Sequence, residues 1–458
     1  MNKNQKRIYL HKTLYYVMNL KIKTPSNPLN GTVIPPGSKA HSHRAFILAG
    51  FTEGASVLKK PLISGDLKVT IDTLKLLGVK ITEIKEGSYV VSGKMNLTNE
   101  SKEPIDCKNA GTTLRILTAL SLLIDGGIIF KGEFLKRNRP ILPLLESLVT
   151  LGAEYQLSKN ILSIKRINKI CNSIQIKGDI SSQFITALLI LCSLIKCEKM
   201  SVIKLNLTTP LVSYPYIKIT LNLLEYFGIN IIEKKDKNNL LSYIIETGQN
   251  LRTQIYEIPS DFSSAAFIIA ATVLSPKDSK VIIKNLDFQD PQGDKKFIEI
   301  IRNMGAKIDI LKEEKEIIIY GNILKYPLKG LEIDCKDIPD LFPILSVIGA
   351  FAEKKTVLFN ADNLRFKESD RISVMARELR NKGVNVIEKS DGMIIHHCEK
   401  IIGSSINHEQ DHRIAMACII ASLYSTTESE IDNIEIVKDS YPNFIDDLEK
   451  IGANIQKI

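Results

Sequence analysis

The chain has 458 residues, more than one hydrophobic core usually supports, so two domains with a cleft between them are expected. Apolar residues make up 44% and charged residues 24%, and the longest apolar stretches, such as Ala187 to Ile195, are too short to span a bilayer, so no membrane span is expected. The net charge of +10 is spread along a chain that lacks Trp and any aromatic-basic stripe, which disfavours nucleic acid and leaves small anions as the partners such a charge suits. Residues 1–19 read as an N-terminal extension, its first seventeen residues carrying Lys3, Lys6, Arg7 and Lys12 without an acid; Met18 is an alternative start. Seven cysteines without a CxxC pair read neither as a disulfide framework nor as a zinc site, which points to a reducing, cytoplasmic setting.

One short pattern recurs along the chain: an apolar or polar residue, Gly, a small or branched residue, a polar residue, then an apolar one. It appears at Leu77-Gly78-Val79, Leu151-Gly152-Ala153, Phe227-Gly228-Ile229, Met304-Gly305-Ala306, Lys382-Gly383-Val384 and Ile451-Gly452-Ala453, at intervals of 69 to 78 residues. Apolar residues at helical spacing precede the glycines, as in Leu67, Ile71 and Leu74, or Phe297, Ile300, Ile301 and Met304. The expected unit is therefore a one-faced helix, a left-handed glycine stop and a strand, six times over. Three units can share a core, so the chain should form two globes, dividing near Arg252 to Glu257.

Polar clusters stand before the apolar helices, in chain order. Pro35-Pro36-Gly37-Ser38-Lys39-Ala40-His41-Ser42-His43-Arg44 is a Gly-Ser-Lys turn entering a helix, suited to an anion but lacking the order of a nucleotide P-loop. Asn109, Gly111 and Arg115 open the next apolar helix, Arg139-Pro140 another, and Ser181-Ser182-Gln183 a third; Ser213 and Tyr216 straddle a fourth junction. In the C-terminal half, Asp340 ends Asp337-Ile338-Pro339-Asp340, while Asn363, Arg365, Lys367, Glu368, Asp370 and Arg371 crowd into nine positions ahead of Asp411-His412-Arg413. Each cluster alone reads most simply as a helix cap. Six of them, rich in donors and distributed over different repeats, suggest one surface that gathers phosphates and carboxylates.

Taken together, PGSKAHSHR, NAGTTLR, NRPI, SSQFITALL, LVSYPYIKITL, DIPD, NLRFKESDR, QDHRIAMA and SYPNF resemble the 5-enolpyruvylshikimate-3-phosphate synthases from about Leu20 to the end. The resemblance implies an α/β fold of two globes, each of three βαβαββ units, with residues 20–37 and 256–458 in one globe, 38–255 in the other, and the site in the cleft. It implies a monomeric enzyme that joins phosphoenolpyruvate to shikimate 3-phosphate and releases phosphate, with no metal or organic cofactor. Lys39, Asn109, Gly111, Arg139, Gln183, Arg371, His412 and Arg413 match positions that hold phosphoenolpyruvate. Lys39, Arg44, Ser181, Ser182, Gln183, Ser213, Tyr216, Asp340, Asn363 and Lys367 match those that hold shikimate 3-phosphate. Asp340, Glu368 and Lys39 are the implied proton carriers.

The sister enzymes that use UDP-N-acetylglucosamine are disfavoured, because Lys39 is followed by Ala40 rather than Asn and Gly132 to Asn138 holds no Cys. A non-catalytic, anion-binding descendant is disfavoured by the retained Lys39, Asp340 and Glu368. Two residues depart from the family pattern. Ala40 stands where a Ser is usual, and Asp439 stands where many members carry a Lys that reaches the phosphoenolpyruvate phosphate. An acid facing a phosphate repels it, so Asp439 is expected to turn outward, with Lys438 or an arginine taking over the contact. Gly111 implies a pocket open to glyphosate.

Overall fold

The computed structural model describes residues 18–85, 87–99, 103–137 and 139–458, so the expected extension over residues 1–17 lies outside them. Among the described residues the strands form six four-stranded sheets of one pattern. In Ile105–Asp106, Ile128–Lys131, Ala153–Leu157 and Ile161–Arg166, the first two strands run parallel, and the last lies antiparallel between the second and the third. Helices Gly111–Leu120 and Leu142–Val149 make the two crossovers, which gives the order βαβαββ.

Three sheets are completed from a distance. Strand Ile255–Glu257 pairs with Gly54–Lys59, strand Asn30–Val33 with Ser279–Ile283, and strand Leu20–Lys23 lies between Ser429–Ile431 and Asn454–Lys457. The chain therefore starts in one globe, crosses to the other between Val33 and Lys39, and returns between Glu257 and Phe262. The crossings are bonded side by side: Ser38 N–H donates to Pro259 O at 2.7 Å and Asp261 N–H to Pro36 O at 2.9 Å. Gly37 is required here, since a Cβ would sit 2.2 Å from Lys60 O.

All six repeat glycines adopt positive φ, at 93°, 86°, 89°, 119°, 84° and 105° for Gly78, Gly152, Gly228, Gly305, Gly383 and Gly452. Each follows a helix and precedes a strand, as the pattern predicts. Buried apolar side chains form two clusters, one drawn from Ala45 to Ile258 and one from Leu20 to Val33 together with Phe262 to Ile451. The first helix of each unit is buried nearly all round, as in Phe262–Val273, where every residue is buried. The second helix covers it with one face, as Lys296–Met304 does through Phe297, Ile298, Ile301 and Met304.

The cysteines differ from expectation at one place. Cys171 and Cys197 form a disulfide with S–S 2.02 Å, enclosing helix Ser182–Leu194, while the other five remain thiols. Their spacing carries no signature, because the pairing arises only when a crossover helix returns the chain to its starting strand.

Candidate active site

The repeated unit dictates where polar groups collect. A first helix that is buried nearly all round keeps most of its polar residues near its ends, and the N-terminal ends of all six meet at one cavity between the globes. Ser38, Lys39 and Ala40 come from the start of Lys39–Gly50, Gly111 and Thr112 from Gly111–Leu120, and Ser181 to Gln183 from Ser182–Leu194. From the other globe come Asp261 and Ser263, Asp340, and His412 with Arg413, at the starts of Phe262–Val273, Phe342–Phe351 and His412–Ser422. Six helix N-termini face one space, three of them capped by Ser181, Asp261 and Asp411, and their dipoles make it a field for anions. Second helices add Asp66, Tyr216, Glu368 and Arg371 at their own starts.

The basic and acidic groups are locked together. Arg371, 1% exposed, donates from Nε to Asp411 Oδ2 at 2.8 Å, from one terminal nitrogen to Asp340 Oδ1 at 2.9 Å and from the other to Glu368 Oε2 at 2.8 Å. Arg413 meets Asp340 Oδ2 at 3.0 Å, and Tyr216 reaches across the cleft to donate to the same oxygen at 2.7 Å. Arg139 lies 3.5 Å from Glu368 Oε1 and donates to both Asn109 O and Oδ1 at 3.2 Å. Lys39 Nζ is 2.5 Å from Asp66 Oδ2. Gln183 accepts from Arg115 at 2.7 Å and donates to Thr112 at 3.0 Å, so its amide is oriented before any ligand arrives.

Ionisation follows from these pairs. Burial resists the charge on Asp340, but Arg413 and Arg371 outweigh it and hold its carboxyl far below the ordinary range. Glu368 is lowered in the same way, with Arg371 and Arg139 overcoming burial. Burial and the nearby Lys39 push His412 down to about 3, so its imidazole is neutral. Burial, joined by Asp340, pushes Asp294 up to about 7. Lys39 is raised: burial opposes its charge, and Asp66 and Asp439 overcome that opposition.

The sequence comparisons can be placed on this geometry. The family profile described as EPSP synthase (3-phosphoshikimate 1-carboxyvinyltransferase) matches residues 23–448. The chain belongs to the EPSP synthase family. It is 40% identical over 448 residues to the 3-phosphoshikimate 1-carboxyvinyltransferase of Methanocaldococcus jannaschii, covering 96% of this chain and 100% of that one. The Methanococcus maripaludis (strain C6) enzyme of the same name is 39% identical over 444 residues, 95% of this chain and 99% of that one. Among solved structures, EPSP synthase from Acinetobacter baumannii superposes with a TM-score of 0.78 at 27% identity, covering 96% of this chain and all of that one. The enolpyruvyl transferase NikO from Streptomyces tendae, at 15% identity and a TM-score of 0.74 over 96% of this chain and 99% of that one, shares the fold. Family membership makes the chain a carboxyvinyl transferase of the shikimate pathway and leaves the UDP-N-acetylglucosamine reading without support.

Of the seventeen site residues that the EPSP synthase pattern implies, all line the one cavity except Asn109, which stands behind it and holds Arg139. Arg44 is more committed than its motif suggests: it donates to Thr220, Thr186, Ala40 O and Tyr216 O. Asp66, Asp261, Ser263, Gln292 and Asp294 also line the cavity and were not singled out. The available signal was position, since Gln292-Gly293-Asp294 precedes an amphipathic helix just as the recognised clusters do. Arg115 belonged to a recognised motif without a role, and here it orients Gln183. The expectation for residues 438 and 439 is reversed. Lys438 faces solvent and pairs with Glu435 at 2.5 Å, whereas Asp439 points inward onto Gly65. Both lie in the 3-10 turn Ile434–Asp439, where adjacent residues point in different directions and only one can face the cleft.

Proposed function

We propose that the cavity carries out the family reaction on phosphoenolpyruvate and shikimate 3-phosphate, and that the cross-pairing of its carboxylates and arginines is what makes the reaction possible. The 5-hydroxyl of shikimate 3-phosphate attacks the central carbon of the enolpyruvyl group while the methylene carbon gains a proton. The resulting tetrahedral intermediate expels phosphate as its new methyl group gives up a proton, which restores the carbon–carbon double bond. Before substrates bind, Asp340 and Glu368 are ionised partners of Arg371, Arg413 and Arg139 and are poor bases. Substrate phosphate and carboxylate compete for those cations. As the arginines turn to the ligands, the carboxylates lose their stabilising charges and their proton affinity rises, so the bases appear when there is something to deprotonate.

In this scheme Lys39, Asn109, Gly111, Arg139, Gln183, Arg371, His412 and Arg413 serve phosphoenolpyruvate. Arg44, Ser181, Ser182, Gln183, Ser213, Tyr216, Asn363 and Lys367 serve shikimate 3-phosphate, with Asp340 taking the hydroxyl proton and Glu368 or Lys39 supplying the carbon. A neutral His412 adds a hydrogen bond without adding charge. The enzyme works as a cytoplasmic monomer whose globes comprise residues 20–37 with 256–458 and residues 38–255, to within the few residues of the crossings. Bonds from Tyr216 to Asp340 and from Ser213 N–H to Lys336 O at 3.0 Å join the globes around the cavity and support closure on the substrates. Glyphosate should enter, because Gly111 leaves room beside Arg139; a Cβ there would lie 3.0 Å from Phe134 and 3.3 Å from Arg139.

The single observation that carries this reading is the convergence of those donors and carboxylates, from both globes, on one cavity. The test is phosphate release by purified protein given phosphoenolpyruvate with shikimate 3-phosphate, and none when UDP-N-acetylglucosamine replaces the acceptor. Equal release with either acceptor would sink it.

A further inference from the structure

The turn Ile434–Asp439 of one globe lies over the start of helix Gly65–Leu76 in the other. Asp439 presses so closely on Gly65 that a Cβ there would lie 2.4 Å from its Oδ1. The neighbouring residue, Asp66, holds Lys39 Nζ at 2.5 Å. Asp439, from one globe, thus lies against the first turn that carries Asp66, from the other, and although only Asp66 touches the Lys39 ammonium the charge of Asp439 also acts on it. The charged groups that act on Asp439 are Asp66, Lys39, Glu368 and Lys108. Beside the two acids in the chain, the hydroxyls of Ser64 and Ser440 are buried without a protein partner.

Lys39 is the main charge that offsets the repulsion between these acids. An anion that draws Lys39 toward itself leaves Asp439 facing Asp66, Glu368 and a new negative charge in a poorly solvated corner. A carboxylate so placed has two ways out: to move away or to take up a proton. Gly65 on one side and the packed turn on the other restrict movement.

We propose that anion binding at Lys39 is coupled to protonation of Asp439, so that this enzyme takes up a proton as the substrate phosphate binds. The step is a transfer of one proton from solvent to an Asp439 carboxylate oxygen; no bond of the phosphate forms or breaks. Burial, then Asp66, already push Asp439 up to about 6 with Lys39 holding it down, so withdrawal of Lys39 carries it toward neutrality. The inference rests on placing Lys39 in the phosphoenolpyruvate subsite.

The test is the KM for phosphoenolpyruvate from pH 5 to pH 8 at saturating shikimate 3-phosphate, for the unmodified enzyme and for Asp439→Asn. The ratio of the two values cancels the ionisation of phosphoenolpyruvate itself. It should lie near one at pH 5 and climb above pH 6, with a slope of up to about one log unit per pH unit, because only the unmodified enzyme must find a proton. Asp439→Ser, equally unable to ionise, should trace the same curve. A ratio that stays constant with pH in both variants, whatever its size, overturns the coupling, since a merely structural contact would shift KM equally at every pH. Lys39→Ala separates this failure from that of the subsite. If it raises KM strongly while the ratio stays flat, only the coupling is wrong; if it leaves KM unchanged, Lys39 is not in the subsite and the inference falls with it.

Discussion

The two globes share a fold and present opposite chemistry to the cleft. Each has three sheets of one order and three left-handed glycine stops. Yet the globe built from Ala45 to Ile258 faces the cavity with donors, namely Lys39, Arg44, Arg115, Arg139, hydroxyls and an amide, and with one acid, Asp66. The other offers Asp261, Asp294, Asp340 and Glu368 interleaved with Lys367, Arg371 and Arg413. A repeat fixes where side chains point without fixing what they are, so duplication supplied helix N-termini and divergence supplied the chemistry. One wall is mostly cations and neutral donors, with Lys39 paired to Asp66 and Arg139 to Glu368. The opposite wall is an ion-pair lattice, which in the proposed scheme rearranges as substrates bind.

The sharpest test of this contrast is to remove one arginine from each wall. Arg371→Ala leaves Asp340, Glu368 and Asp411 without their shared partner in a buried setting and should cost roughly 3–5 kcal/mol in urea unfolding. Arg139→Ala strips a cation that has one long ion pair, and should weaken phosphoenolpyruvate binding with a far smaller loss of stability. Equal losses would erase the distinction between the two walls. Next comes Asp340→Ala, for which kcat should fall by a factor on the order of 100. A cleft base read from sequence alone is expected to leave the melting temperature alone. Here Asp340 ties Arg371 to Arg413 and to Tyr216 across the cleft, so melting should fall too; an unchanged melting temperature would make the lattice ornamental.

A smaller effect isolates the acid side of the lattice. Asp294 has a folded-state pKa raised to about 7 by burial and Asp340, above the roughly 3.9 of an unfolded chain. A raised folded value means the folded state holds the extra proton. The associated stability is full below about pH 4 and is lost as pH rises through about 7. Asp294→Asn has no such loss, so its melting temperature should gain on that of the unmodified protein between pH 5 and pH 8. A gap that stays constant with pH would show that Asp294 does not share the lattice charge.

Much of this was legible before any coordinates. The glycine repeat located six helix ends and the strands after them, because a left-handed stop leaves a residue-specific mark. The clusters before the helices, read through the family pattern, located sixteen cavity residues, nine at the starts of buried first helices and seven, Arg139, Ser213, Tyr216, Asn363, Lys367, Glu368 and Arg371, around the starts of one-faced second helices. Pairing between units, within a globe or across the cleft, was not legible. Nothing in the order of residues says that Arg371 meets Asp411, forty positions away, or that Tyr216 donates to Asp340, since these contacts depend on how separately folded units are set against each other. The borrowed strands Leu20–Lys23, Asn30–Val33 and Ile255–Glu257 were hidden for the same reason. The charge argument misled at residues 438 and 439, because the direction of a side chain in a tight turn changes at every position and it is position 439 that faces inward.

The smallest predicted effect concerns that turn, where both globes touch. On charge alone Lys438 is the natural replacement for a missing phosphate ligand, and losing it should then raise KM for phosphoenolpyruvate. The geometry argues otherwise. Its side chain is 54% exposed and its ammonium is paired with Glu435 one turn earlier, on the side of the turn that faces water. Bringing it to the cavity would require rotating a segment whose Ile434 and Val437 are buried in the core. An exposed pair of this kind contributes about 0–1 kcal/mol, so Lys438→Ala should alter melting only slightly and KM for phosphoenolpyruvate by less than about twofold. A larger rise in KM, especially one that fades at high salt, would place Lys438 within reach of the substrate and show that the turn reorients when the globes close.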